Sequence, residues 1–283
     1  MGRGFACLCI IKSILKLSAD DINKSLKETT MSFFDRNKDS YIDNANQALR
    51  FLSKYRSSLL ANSYKQEHGT KIFGGPFEGM EFLDEVSEGC YLPKLLGIYE
   101  SEIHDYILSI VKKKPDVFIN IGSAEGYYSV GLKRLLPETD VFAFDVDPNA
   151  QNKCKILSEK NSVKVSIEGE FTVDIMKEFK GKNIFLMCDI EGFEAELFNA
   201  ENIKLFKDCD ICIELHEYNG IHNVKILPEL FEKFHDIEII YQKGKNFSVP
   251  NIIHKFSHLD ILLAAWEWRS YPTPWLLADK KSK

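Results

Sequence analysis

No stretch of this 283-residue chain approaches the ~18 consecutive apolar residues that a membrane-crossing helix needs. The nearest is Phe5 to Ile11, which is short and closely followed by Lys12 and Lys16. No small-residue cleavage site follows it, and Ala6 stands where an N-myristoylation pattern requires Ser or Thr. This segment is expected to be a docked amphipathic helix rather than a membrane-surface one, without stable membrane insertion. Basic charge is also in short supply. Lys and Arg total 36 against 42 Asp and Glu, a formal net charge of -6. A chain so balanced does not coat a phosphate backbone by overall charge, so no nucleic-acid partner is expected.

Paired cysteines are missing as well. The seven cysteines are odd in number and scattered. Cys209 and Cys212 form a CxxC, yet no second pair completes a zinc site, and their surroundings read as a buried strand rather than a turn. They are expected to be buried reduced thiols, which points to a reducing, cytoplasmic location. The sequon Asn246-Phe247-Ser248 has no secretory signal to accompany it and is discounted. No internal repeat and no low-complexity tract occurs.

What the chain does have is 45% hydrophobic residues, enough for one large domain or for a domain with an extension. Residues 1 to about 68 read as helical. Asp20, Asp21 and Asn23 can cap one helix, and Asp43, Asn44 and Asn46 another. Between Gly69 and Gly79, four glycines and Pro76 mark a turn-rich boundary. Residues 94–114 predict a further helix, with Lys112 to Lys114 at its end and Pro115 as its stop. The expected division is a helical extension with a turn-rich linker over residues 1–90 and a second domain over 91–283.

Past Pro115 the pattern changes. Apolar runs at Val117–Ile121, Val141–Phe144, Val163–Ile167, Ile184–Cys188, Ile211–Leu215, Ile237–Tyr241 and Ile261–Ala265 predict strands. Helix candidates of about a dozen residues separate the first five. Strand–helix alternation predicts an α/β fold built on a mostly parallel, seven-stranded sheet. Strands of such a sheet are covered on both faces, hence runs that are apolar throughout. The last two runs suit an antiparallel pair.

Two segments point to a ligand. In Val117-Phe-Ile-Asn-Ile-Gly-Ser-Ala-Glu-Gly126, a strand ends in a Gly122-x-x-x-Gly126 turn and leads straight into a helix. Glycines let the backbone turn sharply and a ligand approach closely, and the turn sets N–H groups and a helix N-terminus beside it. In Val141-Phe-Ala-Phe-Asp145, a second strand ends in an acid, at the spacing where a carboxylate binds the hydroxyls of an adenosine ribose. Asp147 precedes Pro148 and suits a helix N-cap instead. The glycine spacing departs from the G-x-G-x-x-G of dinucleotide enzymes. A fourth strand ends in Asp189-Ile-Glu191-Gly192-Phe-Glu194, with an acid facing the crevice where ligands sit.

These segments resemble the FkbM-type class I S-adenosylmethionine-dependent methyltransferases. The likeness rests on residues 119–129, 142–148, 188–197 and 213–217 and covers roughly residues 90–277, with Asp-x-Glu-Gly-x-Glu as its most specific element. It implies a Rossmann-like sheet with S-adenosylmethionine over the Gly122–Gly126 turn, and methyl transfer, usually to a hydroxyl oxygen. Candidate cofactor residues are Asn120, Gly122, Ser123, Ala124, Gly126, Asp145, Val146 and Asp189. Two departures stand out. Asn120 replaces an acid common in class I enzymes, and Met187-Cys188 replaces the usual Lys-Ile or Lys-Val.

Methyl transfer from a sulfonium needs alignment and, for a hydroxyl acceptor, a group to take its proton. Asp189, Glu191 and His216 are the catalytic candidates, with Glu214 and Glu217 nearby. His216 is suited to act as a base near neutral pH. The acids could also hold Mg²⁺, which is not favoured because no spacing demands a metal. Glu191 and Glu194 can simply favour a helix N-terminus. Trp266, Trp268, Tyr271 and Trp275, with Arg269, are read as a hydrophobic lid on the sheet edge or a stacking surface. The expected acceptor is a small molecule or glycan. The rival reading is a catalytically silent module that binds an adenosyl ligand or a partner.

Overall fold

A computed structural model describes residues 11, 14, 17–36, 40–86, 89–218, 220–245, 247, 256–269, 271 and 273–281. Most of the Phe5–Ile11 run, and Asn246 and Ser248 of the sequon, lie outside these. The chain forms two compact units. The helical unit takes residues 1–69, 88–96 and 247–268, and the sheet unit takes 70–87, 97–246 and 269–283. The glycine-rich stretch after residue 69 thus packs with the sheet, and a late segment returns to the helices.

In the helical unit, α1 (Ala19–Arg36) and α2 (Tyr41–His68) pair through a face that includes Phe33 and Phe51, with ring centroids 5.9 Å apart. Buried Ile11 and Ile14 complete that cluster. The helices start about one turn earlier than expected, at Ala19 and Tyr41, each directly after a serine. Ser18 Oγ accepts from the Asp21 N–H at 3.3 Å, and Ser40 meets the Asp43 carboxylate. Asp20, Asp21 and Asp43 lie in first turns, and Asn44 is buried. A short α3 (Leu92–Leu96) follows.

The run Ile261–Ala265 is not a strand. It belongs to a helix, His258–Ala265, opened by a reciprocal capping box in which Ser257 Oγ accepts from the Asp260 N–H and the Asp260 carboxylate accepts from the Ser257 N–H. Asp260 also takes a bidentate pair of bonds from Arg56 on α2, at 2.7 and 2.9 Å.

The expected helix over 94–114 is broken. Gly97 adopts φ +71°, and a Cβ there would lie 1.9 Å from the Gly74 carbonyl oxygen. A left-handed Glu100 and a 3₁₀ turn at Ser101–Ile103 then lead into α4 (His104–Lys113), which ends on left-handed Lys114 before Pro115.

The sheet unit continues with β1 (Val117–Ile121), α5 (Tyr127–Leu135), β2 (Asp140–Phe144), α6 (Pro148–Lys160), β3 (Ser166–Glu168), β4 (Ile184–Cys188) and α7 (Glu194–Leu197). Then come β5 (Cys209–Glu214), the hairpin β6 (Glu217–Tyr218) and β7 (Ile221–His222), α8 (Asn223–Phe231), β8 (His235–Ile240) and β9 (Trp275–Lys280). The sheet order is β3-β2-β1-β4-β5-β9-β8. The strands from β3 to β5 are parallel, and β9 runs antiparallel to both β5 and β8. This is the expected Rossmann-like, mostly parallel seven-stranded sheet, accompanied by a helical N-terminal region. The seventh strand is Trp275–Lys280, and β3 is shorter and later than the run Val163–Ile167. Between β3 and β4, and between β4 and β5, 3₁₀ turns and the four-residue α7 replace the dozen-residue helices expected.

Strands β1, β4 and β5 are buried at every position. Alternation sends Ile119, Leu186 and Ile211 to one core cluster, while Phe118 and Phe185 stack on the opposite face with centroids 5.1 Å apart. Cys209 and Cys212 are free and buried, and burial pushes the Cys209 thiol up to about 12. Among the described residues, no helix is long and apolar enough to cross a membrane.

Candidate functional site

The ends of β1, β2, β4 and β5 converge on one edge of the sheet, so the residues just past them share a crevice. After β1 the chain turns through Gly122 (φ +78°), Ala124 (φ +47°) and Gly126 (φ +88°) into α5. The Gly122 and Ser123 N–H groups both donate to the Phe144 carbonyl at 2.9 Å, which fastens the turn to the end of β2. Asp145, next in the chain, accepts from the Ala124 N–H and the Asp147 N–H at 2.8 Å each. Burial raises its pKa, opposed by these two bonds. A carboxylate has about four lone-pair sites, so two remain. Asp147 caps α6 through the Asn149 N–H at 2.9 Å, with Pro148 in the first position, as its sequence suggests.

The two glycines have different neighbours from those expected. A Cβ on Gly122 would meet the Asp189 carbonyl oxygen at 1.7 Å, and one on Gly126 would meet Cys154 Sγ on α6 at 2.5 Å. Protein atoms, therefore, already demand glycine at both places. Asn120 is buried and donates from Nδ2 to Ser129 Oγ at 2.9 Å. Ser123 is buried, its hydroxyl without a hydrogen-bond partner. Val146 stands 64% exposed beside the turn.

Past β4 and β5 lies a cluster of charged groups around His216. Its Nδ1 is 3.0 Å from Glu194 Oε1 and 3.8 Å from Asp189 Oδ1, and its Nε2 is 3.8 Å from both Glu191 and Glu214. Glu194 has no exposed surface. Asp189 Oδ1 is buried without a hydrogen-bond partner. Burial first of all, with Glu191 and Glu100 adding, raises the Asp189 carboxyl to about 7, against the pull of His216 and Arg269. Burial works against charge on His216 too, yet the Glu194 hydrogen bond and the carboxylates of Asp189 and Glu191 outweigh it and hold the imidazole up at about 9. His216 is thus an imidazolium at neutral pH, not the neutral base anticipated.

Several members of this network had no role in the sequence reading. Arg269 contacts Glu214, and its other terminal nitrogen reaches Glu100 at 2.9 Å. Thr273 Oγ1 donates to Glu214 and Tyr128 Oη to Glu100, each at 2.6 Å. The sequence groups Arg269 with the aromatics on either side of it, and nothing in the sequence marks Glu100. Those aromatics are dispersed. Trp275 is fully buried in β9, Trp268 is buried in the helical unit with its Nε1 donating to Ser57 at 3.2 Å, and Tyr271 is 78% exposed.

Asp189, Glu214 and His216 each offer a ligand atom within 4.8 Å of the others. Arg269 already contacts Glu214 of this set.

No family model matches the chain, and no curated protein matches it in sequence. Among solved structures it is similar to an O-methyltransferase from Streptomyces achromogenes involved in tomaymycin synthesis and bound to S-adenosylmethionine. That likeness is at 12% identity and TM-score 0.45, over 80% of this chain and 90% of that one. A human methyltransferase 10 domain containing protein shows 15% identity and TM-score 0.44, over 81% and 96%. An O-methyltransferase from Bacillus cereus in complex with S-adenosylhomocysteine shows 10% identity and TM-score 0.41, over 64% and 81%.

Proposed function

We propose that this chain is a class I S-adenosylmethionine-dependent methyltransferase of FkbM type that methylates a hydroxyl of a small molecule or glycan. One observation carries the reading: the Gly122–Gly126 turn opens α5 directly beside Asp145, on the β1–β2 edge of a sheet ordered β3-β2-β1-β4-β5-β9-β8. An adenosine lying over that turn would give its ribose hydroxyls to the free lone pairs of Asp145, with Val146 beside the base. The Ser123 hydroxyl, buried without a partner, belongs to the same turn. Asn120 carries no charge and spends its amide on Ser129, so the methionine end must be held by other groups.

The reacting end falls at Asp189, Glu191 and His216. A bound S-adenosylmethionine would supply the methyl by in-line displacement and leave as the neutral thioether, and the acceptor hydroxyl would give its proton to a base of this chain. Asp189, raised to about 7, serves as that base in its carboxylate form. His216 serves only after losing its own proton near pH 9. Mg²⁺ takes no step in this scheme. Calorimetry with S-adenosylhomocysteine and with NAD tests the reading: the first should bind and the second should not. A screen of sugars, phenols and small acids with labelled cofactor then identifies the acceptor.

A further inference from the structure

We propose that Glu194, backed by Asn223, is the positioning residue of the reacting end: it fixes which ring nitrogen of His216 faces the acceptor and holds the Glu191–Gly192 turn in place. This role rests on the methyl-transfer reading above.

Glu194 opens the four-residue α7, where an acid would ordinarily be exposed and act only on the helix dipole. Here the side chain is wholly buried, a costly placement unless every oxygen is bonded. Its Oε1 accepts from the Ile190 N–H at 3.3 Å and the Gly192 N–H at 3.1 Å, and lies 3.0 Å from His216 Nδ1. Its Oε2 accepts from Asn223 Nδ2 at 2.7 Å. One carboxylate thereby ties the loop after β4, the residue beyond β5 and the first residue of α8.

Two consequences follow from that geometry. With Nδ1 committed, the His216 ring cannot flip, and Nε2 is the nitrogen left for an acceptor, the orienter logic of nucleophile–base–acid sites. Glu191 and Gly192 adopt φ +56° and +110°, a left-handed backbone that disfavours a non-glycine residue such as Glu191, between the Ile190 and Gly192 N–H groups that meet Glu194. Glu194 collects those N–H groups, so the turn between Asp189 and α7 keeps its shape. Asn223 Nδ2 also lies 2.7 Å from the His216 carbonyl and 3.5 Å from that of Gly192, bracing the same pieces from behind. Glu194 itself touches no reactant; it acts through His216.

The test uses the full chain and the isosteric Glu194→Gln variant. Ring ¹⁵N spectra of His216 are followed from pH 5 to 10, with Asp189, Glu191, Glu214 and Arg269 unaltered around the ring. The wild-type ring should titrate near 9 and keep its Nδ1 proton. In Glu194→Gln the titration should move down and the tautomer should become mixed. Once an acceptor is known, kcat measured above pH 9, where His216 is neutral and able to act as a base, should fall by roughly tenfold to a hundredfold, while the cofactor Kd changes little. An unchanged His216 titration and tautomer in a folded Glu194→Gln overturns the proposal. If that variant does not fold, Asn223→Ser, which releases Oε2 together with the His216 carbonyl and leaves Oε1 on Nδ1, decides the matter the same way: a shifted ring supports the role and an unshifted ring overturns it. The spectra need no acceptor. A wild type that fails to bind S-adenosylhomocysteine would therefore sink the methyltransferase reading separately.

Discussion

Gly122→Ala should cost this protein more stability than any substitution at a merely left-handed glycine, and the excess is the measure of how tightly β1 and β4 close on each other. At φ +78° an alanine carries a left-handed penalty of about 1–2 kcal/mol. Its Cβ would also stand 1.7 Å from the Asp189 carbonyl oxygen, a backbone atom that cannot rotate away. Relief requires the turn to lift from β4, which endangers the Asp189 N–H to Ile121 carbonyl bond of 2.9 Å, worth about 0.5–1.5 kcal/mol. The sum is roughly 1.5–3.5 kcal/mol, or a fall in Tm of about 3–14 °C at ~2–4 °C per kcal/mol. Gly181→Ala is the control. Its φ is +84° but no atom lies within 4 Å of the added carbon, so only the conformational penalty applies. Urea and thermal unfolding of both variants give the difference. Equal losses in the two would show that the contact with Asp189 imposes nothing, and the account of why glycine stands at position 122 would fail.

Asp189→Asn should keep cofactor affinity within about twofold and lose turnover by on the order of a hundredfold, with the pH–rate rise near 7 abolished; a profile that still climbs near 7 would remove Asp189 as the base. His216→Ala should lower turnover less than Asp189→Asn at pH 7, because the imidazole is charged there; an equal or larger loss makes His216 the principal group. Asp260→Asn should destabilise the helical unit by about 1–2 kcal/mol, a value discounted because Arg56 is half exposed. The Asp260 carboxyl is held at about 2, chiefly by the Arg56 hydrogen bond, so its contribution is present above pH 4 and is lost as pH falls through 2. Unfolding of the two proteins at pH 7 and pH 2 should therefore converge at the lower value.

The parallel half of the fold was legible because its strands are buried on both faces and read as unbroken apolar runs. Val117–Ile121 and Ile184–Cys188 fall where the sequence puts them. The Ile261–Ala265 run misled because a short apolar stretch has no period to tell strand from helix. The deciding signal was Ser257 and Asp260, a capping box three residues apart. Trp275–Lys280 was hidden by its own tryptophan, which drew attention as an aromatic rather than as the first residue of a strand. At the site, Asp145 and Asp189 announce themselves by ending strands. Glu194 was visible only as the last acid of Asp-x-Glu-Gly-x-Glu, and its burial could not be read from spacing. Glu100 and Arg269 come from segments remote in sequence, joined only once the sheet is assembled. The charge state of His216 likewise depends on carboxylates from several loops, which no local pattern discloses.

The central claim is that an adenosyl cofactor lies over the Gly122–Gly126 turn with its ribose on Asp145. Titration calorimetry of S-adenosylhomocysteine into the wild type and Asp145→Ala tests it most directly, with Asp147→Ala as a control for the neighbouring cap. Loss of a charge-assisted, two-point contact should cost about 1.5–3 kcal/mol, which weakens binding roughly tenfold to 150-fold. Asp147→Ala should bind nearly as the wild type does. Equal affinity in wild type and a folded Asp145→Ala would contradict the claim, as would a wild type that binds NAD and ignores S-adenosylhomocysteine.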